Sequence, residues 1–422
     1  MNYSNTNKTH LCRHCGAKTD LFLNLGFAPP SNSYLDAQNL QQAEIWLPLV
    51  LNVCPQCFLV QTQDYTCRET FFNENYAYFS STSKSWLNHA KNYCDEVINK
   101  FNLQRDDAFV VEIASNDGYL LKNFVAQNIS CLGIEPTKST AEFAIKQGVP
   151  TLQEFFGVEL AKKLAAENKM ADLIAGNNVY AHVPDINDFS AGLKILLKPK
   201  GVITLEFPHL LNLLKFKQFD TIYHEHYSYL SLFSVRKILN AVGLEIFDVK
   251  ELPTHGGSLR LYICHQNENT FEISPNVAKI LQNEKDFGLQ DLQIYQQFAA
   301  DVFNIKLQTL EFLLNAKKDN LRICAYGAAA KGNTLLNYVG IKNDIIDCVY
   351  DAAESKQNLY LPGSHVPIIS PEELVKNPPD ILIIFPWNIQ NEIVNLYANQ
   401  PSIINKKTKF VKFIPNLEVI KN

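Results

Sequence analysis

From about residue 107 to 265, short apolar runs alternate with stretches of helical periodicity, and this alternation restricts the chain more than any other feature. Phe109–Ala114, Cys131–Glu135, Ala171–Ala175, Val202–Phe207, Glu245–Glu251 and Leu259–His265 read as strands. Tyr119–Gln127 and Thr140–Gln147 repeat their apolar residues at helical spacing. Parallel strands need crossover connections, and helices supply them, so the segment should build a mainly parallel, doubly wound α/β sheet. The last two strands leave no room for a helix between them. They should pair antiparallel across Pro253–Gly257.

A helical stretch rich in Gln, Asn and Lys follows, from about 274 to 317. A second strand–turn–helix pattern comes after it: Leu321–Tyr326, the turn Gly327-Ala-Ala-Ala-Lys331-Gly332, a helix to about Gly340, then Ile346–Tyr350 ending in Asp351, and Asp380–Phe385. This reads as a smaller α/β unit of nucleotide-binding type. With 422 residues, 46% of them hydrophobic, the chain has material for two to four domains. The divisions fall at 1–68, 69–266, 267–317 and 318–422, the third a helical linker. No apolar stretch approaches the roughly 20 residues of a membrane span. The formal net charge of −5 and the lack of a basic stripe argue against nucleic acid. The polar start, Met1 to His10, shows no export signal, so a cytoplasmic location is expected.

Ten cysteines are present, and four of them form two close pairs, Cys12-x-x-Cys15 and Cys54-x-x-Cys57. Four thiolates suit a tetrahedral structural Zn²⁺ with no open position. Residues 16–53 make a long loop for a compact finger, and His10 and His14 lie near enough to compete, although four thiolates need no help. Such an ion would fold a mostly non-periodic, core-poor segment rather than do chemistry.

The strand Phe109–Ala114 runs into Ser115-Asn116-Asp117-Gly118, where the nucleotide turn of a doubly wound sheet belongs. The turn is not Gly-x-Gly-x-x-Gly. A diphosphate wants bare backbone at a helix N-terminus, and Asp117 beside it would repel phosphate. A cationic sulfonium with an amino-acid tail fits better, so S-adenosylmethionine is preferred to NAD. Glu135 closes the next strand, where a carboxylate can accept from both ribose hydroxyls. Gly176-Asn177-Asn178 and His182 follow another strand at its carboxyl end, where ligands bind in such folds.

The run Tyr223-His224-Glu225-His226-Tyr227 is the most unusual. Adjacent titratable groups are costly to bury without a task, and imidazole suits proton transfer near neutral pH. A neighbouring Glu can steady a His, and Tyr can hydrogen-bond a developing oxyanion. His-x-His lacks the His-Glu-x-x-His spacing of zinc hydrolases. The turn at Gly327 has two glycines at Walker spacing but its lysine one place early, so no ATP hydrolysis is inferred. What survives is a small-residue turn with a cation, suited to a diphosphate.

In this order, the Cys pairs, Tyr76-Ala-Tyr-Phe-Ser-Ser, Glu112-x-Ala-Ser-Asn-Asp-Gly118, Tyr223-His-Glu-His226 and Tyr326-Gly-Ala-Ala-Ala-Lys-Gly-Asn-Thr334 resemble the nucleotide-sugar C-methyltransferases. That resemblance implies a zinc-binding N-terminal domain, a central class I methyltransferase domain using S-adenosylmethionine, and a C-terminal Rossmann-like domain that helps hold a nucleotide sugar. It implies zinc on Cys12, Cys15, Cys54 and Cys57, and a cofactor set of Glu112, Ser115, Asn116, Asp117, Gly118, Glu135, Phe155, Asn177 and Asn178. His226 would be the base and Glu225 its polar partner, with Tyr76, Tyr223 and His182 beside them. His224, Gly327, Lys331, Asn333 and Thr334 would meet the substrate. The expected reaction is methylation of a ring carbon α to the ketone of a dTDP-linked 4-keto-deoxysugar, through an enolate, in deoxysugar biosynthesis. An O- or N-methyltransferase, a non-catalytic zinc-ribbon scaffold and an NAD-linked dehydrogenase are the rival readings.

Overall fold

The computed structural model describes residues 10–65, 80–82, 84–266 and 271–420. The chain forms two compact units. The first comprises Met1–Asp20, Asn52–Leu210 and His226–Gln290, and the second Leu21–Leu51, Leu211–Glu225 and Asp291–Asn422.

The first unit is built on a seven-stranded sheet: β1 Phe109–Ile113, β2 Ser130–Ile134, β3 Thr151–Leu152, β4 Ala171–Asn177, β5 Leu197–Pro208, β6 Leu244–Leu252 and β7 Ser258–His265. Their order is β3-β2-β1-β4-β5-β7-β6. Neighbours from β3 to β5 are parallel, whereas β7 runs antiparallel to both β5 and β6. The wholly parallel dinucleotide-binding sheet has the order 3-2-1-4-5-6. Insertion of β7 between the fifth and sixth strands separates this fold from it. Val110, Val111, Leu173, Ile174, Ile203 and Leu205 are fully buried, as strands covered on both faces require.

The helices α1 Lys84–Lys100, α2 Lys138–Lys146, α3 Val158–Ala166, α4 Ile186–Leu196, α5 Leu232–Ala241 and α6 Pro275–Phe287 belong to this unit. The helix expected at Tyr119–Gln127 shrinks to Lys122–Val125. Tyr119, Leu120, Leu121 and Phe124 are all buried, and i→i+3 bonds such as Asn123 N–H to Leu120 C=O (3.0 Å) let the chain turn tightly. A regular helix could not bury that many adjacent side chains on one stripe.

The second unit holds a six-stranded sheet of β8 Ile323–Tyr326, β9 Val349–Tyr350, β10 Ile368–Ile369, β11 Ile381–Ile384, β12 Lys409–Lys412 and β13 Glu418–Ile420, ordered β10-β9-β8-β11-β12-β13. All neighbours are parallel except β12 and β13. The helical stretch before it divides between α6 and a 27-residue α7, Leu292–Lys318, because Gly288 ends α6 in a left-handed conformation. A further helix, α8 Ala330–Val339, follows the glycine-lysine turn and stops at left-handed Gly340.

The N-terminal segment departs most from expectation. It contains strands Asp20–Ala28 and Leu47–Val53, and Phe22, Leu23, Leu25, Leu49, Leu51 and Val53 are buried. It is therefore not core-poor. Leu47–Val53 is apolar on both faces and so lacks the alternation that marks a half-exposed strand.

Candidate active site and metal centre

The two cysteine pairs adopt the same local turn. Gly16 N–H donates to Cys12 C=O (3.0 Å), and Phe58 N–H to Cys54 C=O (2.9 Å). The residue after each second cysteine is left-handed, with φ of 72° at Gly16 and 56° at Phe58. Each turn aims two sulfurs inward, and the four Sγ atoms lie within 4.8 Å of one another. Cys12–Cys57, Cys15–Cys54 and Cys15–Cys57 are 3.4, 3.5 and 3.8 Å apart. A tetrahedron with Zn–S bonds of about 2.3 Å has edges of about 3.8 Å, so the cluster fits the ion. Amides of Gln56 and Cys57 point at Cys54 Sγ (3.4 and 3.5 Å). The thiol hydrogen bond from Cys57 holds Cys12 down at about 5 while pushing Cys57 up. His14 instead hydrogen-bonds Asn187 (Nδ1–Oδ1 2.9 Å).

At the carboxyl end of β1 the backbone is left-handed at Ala114, Asn116 and Gly118 (φ 57°, 49° and 77°). Non-glycine residues seldom adopt this conformation, and a cluster of them marks a backbone held for a purpose. A Cβ at Gly118 would stand 3.0 Å from Val149 and 3.2 Å from Ala144, so the turn also needs a bare residue for close packing. Glu135 accepts from the amides of Asn116 and Thr137, both at 2.9 Å, which ties this turn to the end of β2. Asn116 Oδ1 and Asp117 Oδ2 accept from the amides of Ser80 and Ser81 (3.0 and 2.9 Å).

Several buried polar atoms around this turn have no hydrogen-bond partner among the described residues: Glu112 Oε2, Ser115 Oγ, Asp117 Oδ1 and both polar atoms of the Asn177 amide. Burial and then the charges of Asp117 and Glu135 push the Glu112 carboxyl well above its ordinary range. Burial raises Glu135 too, against the opposing pull of its two amides. Orphaned buried acceptors are costly unless a ligand supplies donors. Three carboxyl groups at one turn suit a cation bearing ammonium and hydroxyl groups and repel a diphosphate. Phe155 is half-buried in the segment following β3.

At the end of β4, Asn178 is left-handed and its N–H donates to Glu206 C=O (2.7 Å). The short 3-10 turn Tyr180–His182 then sets the His182 ring edge-to-face on His226, with centroids 4.6 Å apart and planes at 72°. His226 is buried, and its C=O accepts from Thr62 Oγ1 (3.1 Å). Beside these, the first unit holds a group that motif reading passed over. Glu206 of β5 is fully buried and accepts from Arg260 Nη2 (2.7 Å), His89 Nε2 (3.0 Å) and Thr254 Oγ1 (3.1 Å). Despite burial, His89 and Arg260 hold its carboxyl below the usual range. The sequence did carry a signal: Glu206 and Arg260 are lone charges in apolar strands, and they face each other in the β5–β7 register.

In the second unit Glu225 is buried and accepts from Asn32 Nδ2 (2.7 Å); burial pushes its carboxyl up to about 7. His224 Nε2 lies 3.3 Å from the carbonyls of both Leu47 and Pro48, and burial draws its pKa down. Tyr223 precedes them, after the 3-10 turn Phe219–Thr221. Lys331 Nζ donates to Asn388 Oδ1 (2.8 Å) and lies over the Trp387 ring (4.2 Å). Buried Asp220 accepts from Trp387 Nε1 (2.7 Å), and burial raises it to about 6 against the pull of Lys331.

The glycines of this turn have packing reasons: a Cβ at Gly327 would meet Pro386 at 2.5 Å, and one at Gly332 would meet Phe385 at 2.5 Å. Asn333 donates to Ser31 C=O (2.5 Å) and Thr334 to Ile222 C=O (2.7 Å). Asp351 accepts from the amides of Ala328 and Ala353 (2.7 and 2.8 Å), so its carboxylate is engaged by the turn itself. Tyr76 lies outside the described residues.

Residues 12–72 match the family model of a zinc binding domain, residues 86–249 that of a methyltransferase domain, and residues 253–415 that of the C-methyltransferase C-terminal domain. C-methyltransferase NovU of Streptomyces niveus is 31% identical over 410 residues, covering 97% of this chain and 96% of that protein. Among solved structures, an S-adenosylmethionine-dependent methyltransferase from Clostridium acetobutylicum aligns with 43% of this chain and 92% of its own, at 12% identity and a TM-score of 0.35. Magnesium protoporphyrin IX methyltransferase from Synechocystis PCC 6803 aligns with 43% and 83%, at 16% identity and a TM-score of 0.35.

Proposed function

The chain belongs to the S-adenosylmethionine-dependent C-methyltransferase family, and from that premise we propose that it methylates a ring carbon beside the ketone of a nucleotide-linked sugar, a dTDP-4-keto-deoxysugar. Its resident groups are S-adenosylmethionine and a structural zinc ion. In this reading the zinc domain is 1–68, the methyltransferase domain 69–266, the linker 267–317 and the nucleotide-sugar domain 318–422. The protein acts in cytoplasmic deoxysugar biosynthesis on a small molecule.

The ring contact between half-buried His182 and buried His226 carries the reading. A hydroxyl or amine acceptor already has a lone pair to offer. A carbon beside a ketone has none until a base takes its proton, and a buried imidazole fits that need. Bound S-adenosylmethionine supplies an electrophilic methyl on a cationic sulfur. Glu135 would accept from its ribose hydroxyls, and Asn116 to Gly118, Glu112 and Asn177 would surround its methionine end. His226 removes the C–H proton, with the His182 ring against it; Glu225 is read as its polar partner, and Tyr223 and Tyr76 as substrate-side groups. Lys331 faces the diphosphate.

The test is incubation with S-adenosylmethionine and a panel of nucleotide-linked keto-deoxysugars. Mass spectrometry should show one added methyl and NMR should locate it next to the ketone. Methylation on oxygen or nitrogen, or of sugars lacking a ketone, would refute the reading.

A further inference from the structure

The loop between β6 and β7, Pro253–Gly257, does more than reverse the chain. His255, Gly256 and Gly257 are left-handed in succession, with φ of 54°, 85° and 114°. His255 is the unusual member, since glycine adopts this conformation freely and histidine does not. Its Nε2 lies 3.2 Å from Nδ2 of Asn178, itself left-handed at the carboxyl end of β4. Two residues in uncommon backbone conformations thus bring two side-chain nitrogens together at the edge of the sheet where ligands bind.

Glu206 holds both ends of this arrangement. Its C=O accepts from Asn178 N–H (2.7 Å), and its carboxylate accepts from Thr254 Oγ1 (3.1 Å), one residue before His255. Arg260 and His89 fix that carboxylate in turn, and Trp86 packs against the His255 ring with centroids 5.2 Å apart. The Asn178 Oδ1 is buried and has no hydrogen-bond partner among the described residues. Both side chains are half-buried, neither sealed in the core nor free in solvent. Four residues after Asn178 stands His182, against the ring of His226.

We propose that Asn178 Nδ2 and His255 Nε2 form a two-donor site for the substrate's ketone oxygen as it becomes an enolate oxyanion. The inference rests on the enolate reading above. For both nitrogens to donate to one oxygen, His255 carries its proton on Nε2. With no substrate bound, Asn178 donates to the Nε2 lone pair of the tautomer protonated on Nδ1, and the ring proton moves to Nε2 as the ketone oxygen binds. Negative charge grows on the ketone oxygen as His226 takes the neighbouring C–H proton. Donors already in place strengthen their bonds at that moment without reorganising, which lowers the barrier.

The test uses the full-length protein, a keto-deoxysugar substrate and D₂O. Exchange of the α-hydrogen is followed by NMR without S-adenosylmethionine, methyl transfer with it, and cofactor affinity by calorimetry. His255→Gly keeps the left-handed backbone unstrained while removing the ring. It should slow both exchange and kcat by about 10²–10³-fold, with KM and cofactor Kd within about threefold. His255→Asn, which tolerates the same backbone and restores an N–H donor, should recover at least tenfold. Wild-type exchange with undiminished rates in both variants overturns the donor site alone. Wild-type protein that methylates carbon with no exchange, or exchanges no keto-sugar at all, overturns the enolate reading and this inference with it. A drop in cofactor affinity matching the drop in kcat assigns His255 a structural role and also overturns it.

Discussion

Glu135→Gln tests the cofactor site at its best-defined atom. An ionised carboxylate offers about four acceptor positions. Two of the Glu135 positions are taken by the amides of Asn116 and Thr137, both at 2.9 Å, which leaves two for a ribose diol. A Gln side chain has one acceptor oxygen, and its NH₂ would face one of those amides, donor against donor. The variant should therefore lose one amide bond and at least one ribose bond. Hydrogen bonds to a charged group contribute about 1.5–3 kcal/mol each, so the loss on the ligand side corresponds to a roughly 10- to 150-fold weaker Kd. Relief of repulsion from Glu112, which Glu135 pushes up, works in the other direction and places the outcome toward the lower end. Calorimetry with S-adenosylmethionine and S-adenosylhomocysteine reads the effect. Both share the ribose, so both should weaken by the same factor. An unchanged Kd, or a loss confined to the sulfonium form, would refute the ribose assignment.

Three further outcomes follow from the same geometry. His226→Ala should lose about 10²–10⁴-fold in turnover while binding cofactor normally; near-full turnover in a steady-state assay would remove it as the base. Cys57→Ser should lose metal and fold in lower yield, read by elemental analysis and thermal melting, and loss of the ion with an unchanged Tm would contradict a structural role. For Glu225, burial raises the carboxyl from 4.5 to about 7, so ionising it in the folded state costs stability. The penalty is absent below about pH 4.5, grows through the interval and is complete above about pH 7, reaching on the order of 3 kcal/mol. Glu225→Gln, which can still accept from Asn32, should thus gain in Tm over wild type at pH 8 and not at pH 4.5; equal differences at both would refute the shift.

Much of the fold was legible because strand length and spacing are local properties. Six apolar runs became six strands of the methyltransferase sheet, and the missing helix before Leu259–His265 foretold the antiparallel β7. The Cys-x-x-Cys pairs announced their four-sulfur cluster in the same way. What stayed hidden depends on contacts far apart in sequence. Leu47–Val53 shows no alternation because both of its faces are covered. Tyr119–Gln127 has helical spacing, yet burial of four of its residues overrides it. The Asn178–His255 contact joins residues separated by three strands and three α-helices, and only the fold brings them within 3.2 Å. At the glycine-lysine turn, Pro386 and Phe385 give the two glycines packing reasons that their spacing does not reveal.

The second cysteine turn leads directly into the strand Val60–Thr62, which pairs with Ser228–Tyr229. Val60 lies opposite Tyr229, and Thr62 holds the carbonyl of His226. The metal cluster is thus one short strand away from the backbone of the proposed base. Zinc supply becomes a mechanical input to this enzyme: an ion that never meets substrate governs the anchorage of the imidazole. Partial metal depletion would then be felt as a falling number of competent molecules, each fully active, rather than as a uniform slowing of all.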